Sequence, residues 1–280
     1  MKPASLTYRR ARDVAEAVGL VAAAEGGARF LAGGQTLGPL INLRLVQPEL
    51  LVDIGRLEEL RRSAMAEGRL AIGAATRHAE IEDGAVADPA QGMLRQVAAG
   101  IAYRAIRNRG TLGGSLAHAD PAAEWPVVMT ALDAAVRIRG PAGRRELPVR
   151  ALIEAALTTS LAEGELIEAV AVTPLSGEAR WGFVKRCRKV GEFAFSLAAA
   201  VADPARGFGR VVIGATARGP VELPGTGRLL AQTRHWQDGC EAAIRTAYEA
   251  DLDAAGIALD DYDRHVHGVS VIRAIRQAFA

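Results

Sequence analysis

Residues 106–121 read Ile-Arg-Asn-Arg-Gly-Thr-Leu-Gly-Gly-Ser-Leu-Ala-His-Ala-Asp-Pro. The pair Gly113-Gly114 lies among hydroxyl side chains and precedes an alanine-rich segment, residues 122–132, that is predicted to be a helix. Glycines let main-chain N–H groups come close to a ligand, and the amino end of a helix favours negative charge. The stretch therefore predicts a loop that binds an anion.

A second glycine pair occurs earlier, in residues 31–38, which read Leu-Ala-Gly-Gly-Gln-Thr-Leu-Gly. It follows a short apolar strand predicted over residues 28–32, so the next main-chain N–H groups can point into one concavity, and Thr36 adds a hydroxyl. The spacing is neither the dinucleotide G-x-G-x-x-G nor the triphosphate loop with its Gly-Lys-Ser/Thr. Taken alone, the pair is also explained by a tight turn at positive φ.

Two such motifs in one domain predict a ligand with two phosphates, held by main-chain donors from both sides. We call residues 31–38 the first glycine motif and residues 110–115 the second. Arg107 and Arg109 could neutralise phosphate, but solvent exposure or a subunit contact would explain them equally well.

Both motifs closely resemble the flavin-binding medium subunits of the molybdenum hydroxylases. This family includes carbon monoxide dehydrogenase, nicotine dehydrogenase and a fused domain of xanthine dehydrogenase. The resemblance covers essentially the whole chain and is strongest in residues 31–60 and 104–135. It implies an α+β fold. A two-subdomain FAD-binding domain of the vanillyl-alcohol oxidase/p-cresol methylhydroxylase type, residues 1–174, would precede a small C-terminal domain of antiparallel sheet and helices, residues 175–280.

The resemblance also implies which residues bind FAD. In the family, the segments equivalent to 31–38 and 111–115 wrap the pyrophosphate, and other positions contact the rest of the cofactor. The predicted FAD-binding residues are Leu31, Ala32, Gly33, Gly34, Gln35, Thr36, Leu37, Gly38, Thr111, Gly113, Gly114, Ser115, Glu124, Ile167, Lys185 and Phe193.

The last four of these residues have individual roles in the family. Glu124 matches an acidic residue near the ribityl or ribose hydroxyls, and Ile167 a contact to adenine or flavin. Lys185 matches a lysine near the isoalloxazine, where a cation stabilises the reduced flavin, and Phe193 an aromatic ring against the flavin. Plainer interpretations are a first-turn helix charge for Glu124, core positions for Ile167 and Phe193, and a solvated lysine for Lys185.

The implied function is electron transfer within a larger enzyme. Electrons would pass from 2Fe–2S clusters of a small subunit to a non-covalently bound FAD here, and then to an external acceptor. The substrate would react at a molybdenum–pterin cofactor in a large subunit. A dimer of heterotrimers is expected by resemblance, with no catalytic or metal-binding residue in this chain. The sequence leaves open the substrate and whether the acceptor is NAD, a quinone, a cytochrome or oxygen.

Composition agrees with an ordinary globular protein. The 34 basic and 32 acidic residues give a net charge of +2, which offers no case for nucleic-acid binding. The two cysteines, Cys187 and Cys240, cannot by themselves hold an iron–sulfur cluster. The N-terminus lacks a signal-peptide core, and no apolar run reaches the length of a membrane span. We expect a reduced, cytoplasmic protein.

Hydrophobic periodicity predicts alternating strands and helices up to about residue 172, beginning with a helix for which Asp13 and Glu16 form a capping box. Four strands and two helices are predicted after residue 165. The predicted strands are residues 166–172, 182–188, 195–201 and 210–217, and the predicted helices are residues 238–252 and 261–279.

Two other functions remain open from sequence. A self-sufficient flavin oxidase or dehydrogenase of the same superfold would need a base beside the flavin and a larger substrate domain than residues 175–280 provide. A flavin-free scaffold would not require two intact glycine motifs.

Overall fold

A computed structural model describes residues 2–280. The N-terminal layer is a parallel sheet of β1 (Thr7–Arg10), β2 (Ala28–Leu31) and β3 (Leu50–Asp53) in the order β1-β3-β2, with helices α1 (Val14–Ala22) and α2 (Leu37–Asn42). Asp13 caps α1 by accepting from the N–H of Glu16 at 2.7 Å. The Glu16 carboxylate bonds the N–H of Arg12 and not that of Asp13, so only half of the predicted capping box forms.

The second layer is an antiparallel sheet with helices against it. Its strands are β4 (Ser63–Ala66), β5 (Arg69–Gly73), β6 (Ala135–Gly140), β7 (Gly143–Pro148) and β10 (Leu166–Val172), in the order β4-β5-β10-β6-β7. The remaining elements are α3 (His78–Glu82), α4 (Met93–Ala99), α5 (Arg104–Arg107), α6 (Leu112–His118), α7 (Glu124–Ala131), α8 (Val149–Leu152) and the small pair β8 (Ile153–Ala155) and β9 (Thr158–Thr159). Every residue of α7 is buried.

The third layer is a second antiparallel sheet covered by long helices. It comprises β11 (Arg180–Arg186), β12 (Ser196–Asp203), β13 (Phe208–Gly214) and β14 (Val221–Glu222), followed by α9 (Pro224–Gln232), α10 (Cys240–Ala255) and α11 (Asp261–Gln277). Short 3₁₀ turns occupy Glu58–Leu60 and Pro204–Arg206. The predicted α+β class is confirmed.

Strand β12 belongs to two cores at once. All its residues are buried, and its side chains alternate between the faces of the sheet. Leu197, Ala199 and Val201 pack in the core that contains α7, whereas Ala198 and its alternate neighbours pack in the core beneath α10 and α11. The two predicted parts of the chain therefore share packing, and the boundary at residues 174/175 stays a prediction.

Helix α9 was not predicted, because Pro224-Gly225-Thr226-Gly227 is typical of a turn. Its first turn is held by Asp251 of α10, which accepts from the N–H groups of Gly225 and Thr226 at 2.8 and 2.7 Å and from the Thr226 hydroxyl. This cap comes from a segment distant in sequence, so the local sequence around α9 does not predict it.

Asp251→Ala is expected to lower the free energy of unfolding by about 2–3 kcal/mol, because it leaves three donors without an acceptor, two of them on the buried Thr226. Asp253→Ala is the matched control on the same helix. Asp253 is exposed, and among residues 2–280 its side chain pairs with Arg264 alone, so its loss should cost less than about 1 kcal/mol. Urea unfolding of both variants measures the difference, and equal effects would contradict the cap.

Candidate functional site

A cavity of about 890 Å³ lies where the three layers meet. The first glycine motif forms one wall, and the loop before α6 together with the first turn of α6 forms the facing wall. Lys185 of β11, the segment 191–193 and residues around Leu161 and Ile167 also line the cavity. The cavity therefore collects residues from widely separated parts of the chain.

The first glycine motif offers unused main-chain donors. None of the N–H groups of residues 33–37 donates to another group among residues 2–280. Gly34 has φ of +72°, a conformation that glycine adopts without strain. The tight-turn interpretation and the anion-binding interpretation of this motif are thus compatible, because consecutive free N–H groups on a bent main chain form a concavity suited to an anion.

The second glycine motif differs from the predicted loop, because most of it is helical. Gly113, Gly114 and Ser115 form the first turn of α6, and Thr111 is its N-cap. The N–H groups of this turn are already used. Leu112 donates to the Thr76 carbonyl, Gly113 to the Ala74 carbonyl, Gly114 to the Thr111 hydroxyl and Ser115 to the Thr111 carbonyl. The expectation of free main-chain donors was therefore wrong for residues 112–115.

The glycines of the second motif have a packing role instead. A Cβ on Gly113 would come 2.9 Å from the Ala74 carbonyl oxygen, and one on Gly114 would come 2.8 Å from the Thr111 hydroxyl. A Cβ on Gly33 would overlap the carbonyl oxygen of Arg109 and lie 2.8 Å from the Cα of Gly110. The two motifs therefore touch main chain to main chain, at Gly33 and Gly110.

Lys185 and Glu124 form a buried ion pair beside the cavity. The Lys185 Nζ lies 2.6 Å from Oε1 of Glu124 and also donates to the Gly100 carbonyl at 3.1 Å. Side-chain exposure is 12% for Lys185 and 8% for Glu124. Burial raises the pKa of Glu124, and the Lys185 ammonium opposes this rise. The sequence did not predict this pairing, which excludes the solvated lysine interpretation.

Most predicted FAD-binding residues line the cavity; the exceptions are Leu31, Gly38 and Thr111. The Leu31 side chain packs beneath Gly34, Gly38 lies within α2, and the Thr111 hydroxyl is occupied as a helix cap. Ile167 is both a buried strand residue and part of the lining. The cofactor contacts of all these residues stay predictions.

Phe193 lies at the rim of the cavity and is 77% exposed, so it is not a core residue. It follows Gly191, whose backbone lies against the Tyr103 ring at φ of +89°. Tyr103 is also exposed and also lines the cavity. Two aromatic side chains thus flank one opening, which suits the edge of a planar ring.

The two arginines before the second motif have separate roles. Arg107 is largely buried, forms two hydrogen bonds with the Glu82 carboxylate and donates to the carbonyls of Ile101 and Ala102. Because these bonds occupy the guanidinium donors, Arg107 has a structural role, and the interpretation that it binds phosphate is not supported. Arg109 is exposed, and its Nε donates to the Gly33 carbonyl at 3.4 Å.

His78 is a cavity residue that the sequence did not single out. It is the first residue of α3, is 6% exposed, and its Nδ1 accepts from the indole Nε1 of Trp125 at 3.0 Å. No periodic pattern marks it. The signal available was indirect: a histidine that lies two residues after the buried segment Ala74-Ala75-Thr76, which follows β5.

These features define a class of site: a pocket lined by an anion cradle, by a buried ion pair and by two exposed aromatic side chains. That arrangement suits a dinucleotide whose diphosphate lies at the cradle. Residues 4–175 match the family described as FAD binding domain in molybdopterin dehydrogenase. The chain belongs to this family.

Curated relatives agree over most or all of the chain. The medium chain of carbon monoxide dehydrogenase from Hydrogenophaga pseudoflava is 32% identical over 287 residues, covering 100% of this chain and 99% of the relative. Subunit alpha of the 6-hydroxypseudooxynicotine dehydrogenase complex from Paenarthrobacter nicotinovorans is 42% identical over 201 residues, covering 72% of this chain and 68% of the relative.

Solved structures show the same fold. Carbon monoxide dehydrogenase from Hydrogenophaga pseudoflava, in a form that lacks the Mo-pyranopterin moiety of the molybdenum cofactor, matches with a TM-score of 0.90 and 29% identity. That match covers 99% of this chain and 98% of the other. Quinoline 2-oxidoreductase from Pseudomonas putida 86 matches with a TM-score of 0.85 and 29% identity over the full length of both chains. Within residues 2–280, no helix has the length and apolar character to span a membrane.

Proposed function

We propose that this chain is the FAD-carrying electron-transfer subunit of a molybdenum-containing hydroxylase or dehydrogenase. It receives electrons from 2Fe–2S clusters of a small partner subunit and delivers them to an external acceptor. The organic substrate reacts at a molybdenum–pterin cofactor on a large partner subunit. A cytoplasmic dimer of heterotrimers is the assembly we infer.

One observation carries this proposal. Residues 33–37, whose N–H groups are free, line a cavity that Lys185 and Glu124 also line, in a chain that matches a carbon monoxide dehydrogenase medium chain from end to end. Scaffolding alone requires neither an anion cradle nor a buried charge. These residues fit FAD, whose diphosphate needs donors and whose ring system needs an apolar cleft.

The residues of this chain have separable tasks. Bound FAD supplies the capacity to take up and release electrons. The first glycine motif holds the diphosphate through hydrogen bonds to its oxygens. The Lys185 ammonium, fixed by Glu124 and by the Gly100 carbonyl, places positive charge in the lining of the cavity. The Glu124 carboxylate limits how much of that charge the cavity experiences.

The purified full-length chain tests the proposal. We expect it to carry flavin absorbance, to oxidise no N-heterocyclic or aldehyde substrate alone, and to acquire turnover only with its co-purifying large and small subunits. Turnover by the isolated chain would favour a self-sufficient flavin oxidase. A colourless chain that assembles with both partners would favour a scaffold. Trials of NAD, quinone, cytochrome and oxygen with the complex identify the acceptor.

Glu124→Gln is expected to raise the midpoint potential of the bound flavin, because it leaves the Lys185 charge uncompensated and reduction adds negative charge. The expected rise is on the order of 30 mV, which for two electrons corresponds to about 1.4 kcal/mol. Lys189→Met is the control, since Lys189 is exposed and does not line the cavity. Dye-coupled redox titration measures both, and a lowered or unchanged potential in Glu124→Gln would contradict the role of the pair.

A further inference from the structure

The His78 ring lies against the second glycine motif. Its main-chain N–H donates to the Gly110 carbonyl at 3.0 Å. The Cδ2–Nε2 edge of the ring approaches Gly110 so closely that a Cβ there would come within 2.8 Å of both ring atoms. Gly110 in turn touches Gly33, so the imidazole lies at the place where the two motifs meet.

The hydrogen bond from Trp125 fixes the tautomer of this imidazole. An indole nitrogen only donates, so Nδ1 of His78 must present its lone pair, and the hydrogen of the neutral ring is on Nε2. Burial, together with the positive charge of Arg107, lowers the pKa of His78 to about 4. The ring is therefore neutral at physiological pH, with a donor of fixed direction.

This donor has no acceptor in the described part of the chain, since the hydrogen bond from Trp125 is the only one made by the ring. Nε2 is not among the fully enclosed polar atoms that lack a partner, so this donor stays accessible to a hydrogen-bonding group from outside the chain. His78 lines the cavity, so a ligand there can accept from Nε2.

The other hydrogen-bond donors near His78 indicate that the accepting group of the ligand is an anion. On the side of the first motif, the N–H groups of residues 33–37 are free. On the side of the second motif, the N–H groups of residues 112–115 are consumed by the chain itself. The Nε2–H of His78 therefore supplies a further donor on the side where the N–H groups of residues 112–115 are used within the chain, and an anion at the junction would be held from both sides.

We propose that His78 is a ligand-binding residue whose Nε2–H donates to an oxygen of the diphosphate lying between the two glycine motifs. This inference rests on the proposed function, because it needs FAD in the cavity. Because the imidazole donates as a neutral group, the affinity that this hydrogen bond contributes does not depend on protonation of the ring, as the affinity from an ion pair would.

Two substitutions at His78 test the proposal in the full-length chain after removal of flavin. His78→Phe fills the space without a donor. His78→Gln is the rescue variant, because its amide oxygen can accept from Trp125 while its amide N–H donates. The probes are FAD, ADP and riboflavin, of which only the first two contain a diphosphate, and calorimetric titration gives each dissociation constant.

His78→Phe is expected to weaken FAD and ADP by about 10-fold or more, as for a lost hydrogen bond to a charged group, and to leave riboflavin within about 3-fold. His78→Gln is expected to recover most of the lost affinity. Unchanged FAD affinity, or an equal loss for riboflavin, would overturn the inference. If the unsubstituted chain bound no FAD, the proposed function itself would fail.

A measurement on the unsubstituted chain avoids any folding defect of the variants. The ¹H–¹⁵N NMR signal of the His78 Nε2–H is expected to move on addition of ADP and to stay in place with riboflavin. FAD affinity is expected to be flat between about pH 5.5 and 8, because the ring is neutral throughout. A signal insensitive to ADP, or affinity that climbs as pH falls through about 6.5, would refute a neutral diphosphate donor.

Discussion

Gly33→Ala is expected to abolish stable flavin binding. A Cβ at this position would overlap the Arg109 carbonyl oxygen and lie 2.8 Å from the Gly110 Cα, so the two glycine motifs would have to separate. Separation displaces donors on both sides of the diphosphate at once. Each hydrogen bond to a charged group contributes about 1.5–3 kcal/mol, so we expect a loss of about 100-fold or more in FAD affinity.

Gly19→Ala is the matched control for this substitution. Gly19 lies in α1, nothing lies within 4 Å of a Cβ placed there, and the residue does not line the cavity. This variant is expected to keep its full flavin content. The ratio of flavin to protein absorbance compares the two chains directly. Equal occupancy in Gly33→Ala would show that contact between the motifs is not needed for FAD binding.

Lys185→Met is expected to destabilise the flavin-free chain by about 3 kcal/mol at pH 8, since removing one partner leaves a buried charge uncompensated. The effect depends on pH. Burial raises the pKa of Glu124 in the folded protein, and the ammonium that opposes this rise is gone in the variant. Stability contributed by the protonated carboxyl is present below the unfolded pKa and is lost as pH rises through the higher folded pKa. The defect is therefore smaller at pH 5.

Urea unfolding at pH 5, 6.5 and 8 measures this trend. The double variant Lys185→Met/Glu124→Gln removes both charges and is expected to recover much of the stability and to lose the pH dependence. A Lys185→Met defect that is constant across this range would show that Glu124 does not carry the unpaired charge.

The sequence predicted local features well. The strand near residues 166–172 and the helices near 240–255 and 261–277 lie close to their predicted positions, because their apolar residues repeat with a clear period. Helix α6 was missed because two glycines disfavour a helix, yet Gly113 lets the segment at Ala74 approach and Gly114 leaves room for the hydroxyl of the N-cap Thr111. In the same way, α9 depends on a cap from another helix.

The candidate site was predicted in its residues more than in its interactions. The residues of the two glycine motifs can be recognised from their spacing in the sequence, and most of them line the cavity. Pairings between distant residues cannot be read from spacing. Glu124 meets Lys185, and His78 meets Trp125, only because α7 packs between the layers. The consumption of the N–H groups in the second motif likewise depends on the carbonyls of Ala74 and Thr76, which belong to another segment.

Strand β12 packs in two hydrophobic cores, and this restricts how the protein can be recombined with its relatives. A chimera joined near residue 174 would bring a foreign strand whose odd-numbered side chains must still fit Val127 and its neighbours. The same graft would also replace Lys185, the counter-ion of Glu124. The C-terminal third is thus not an interchangeable module. Exchanges between family members should succeed only when the residues facing both cores are transplanted together.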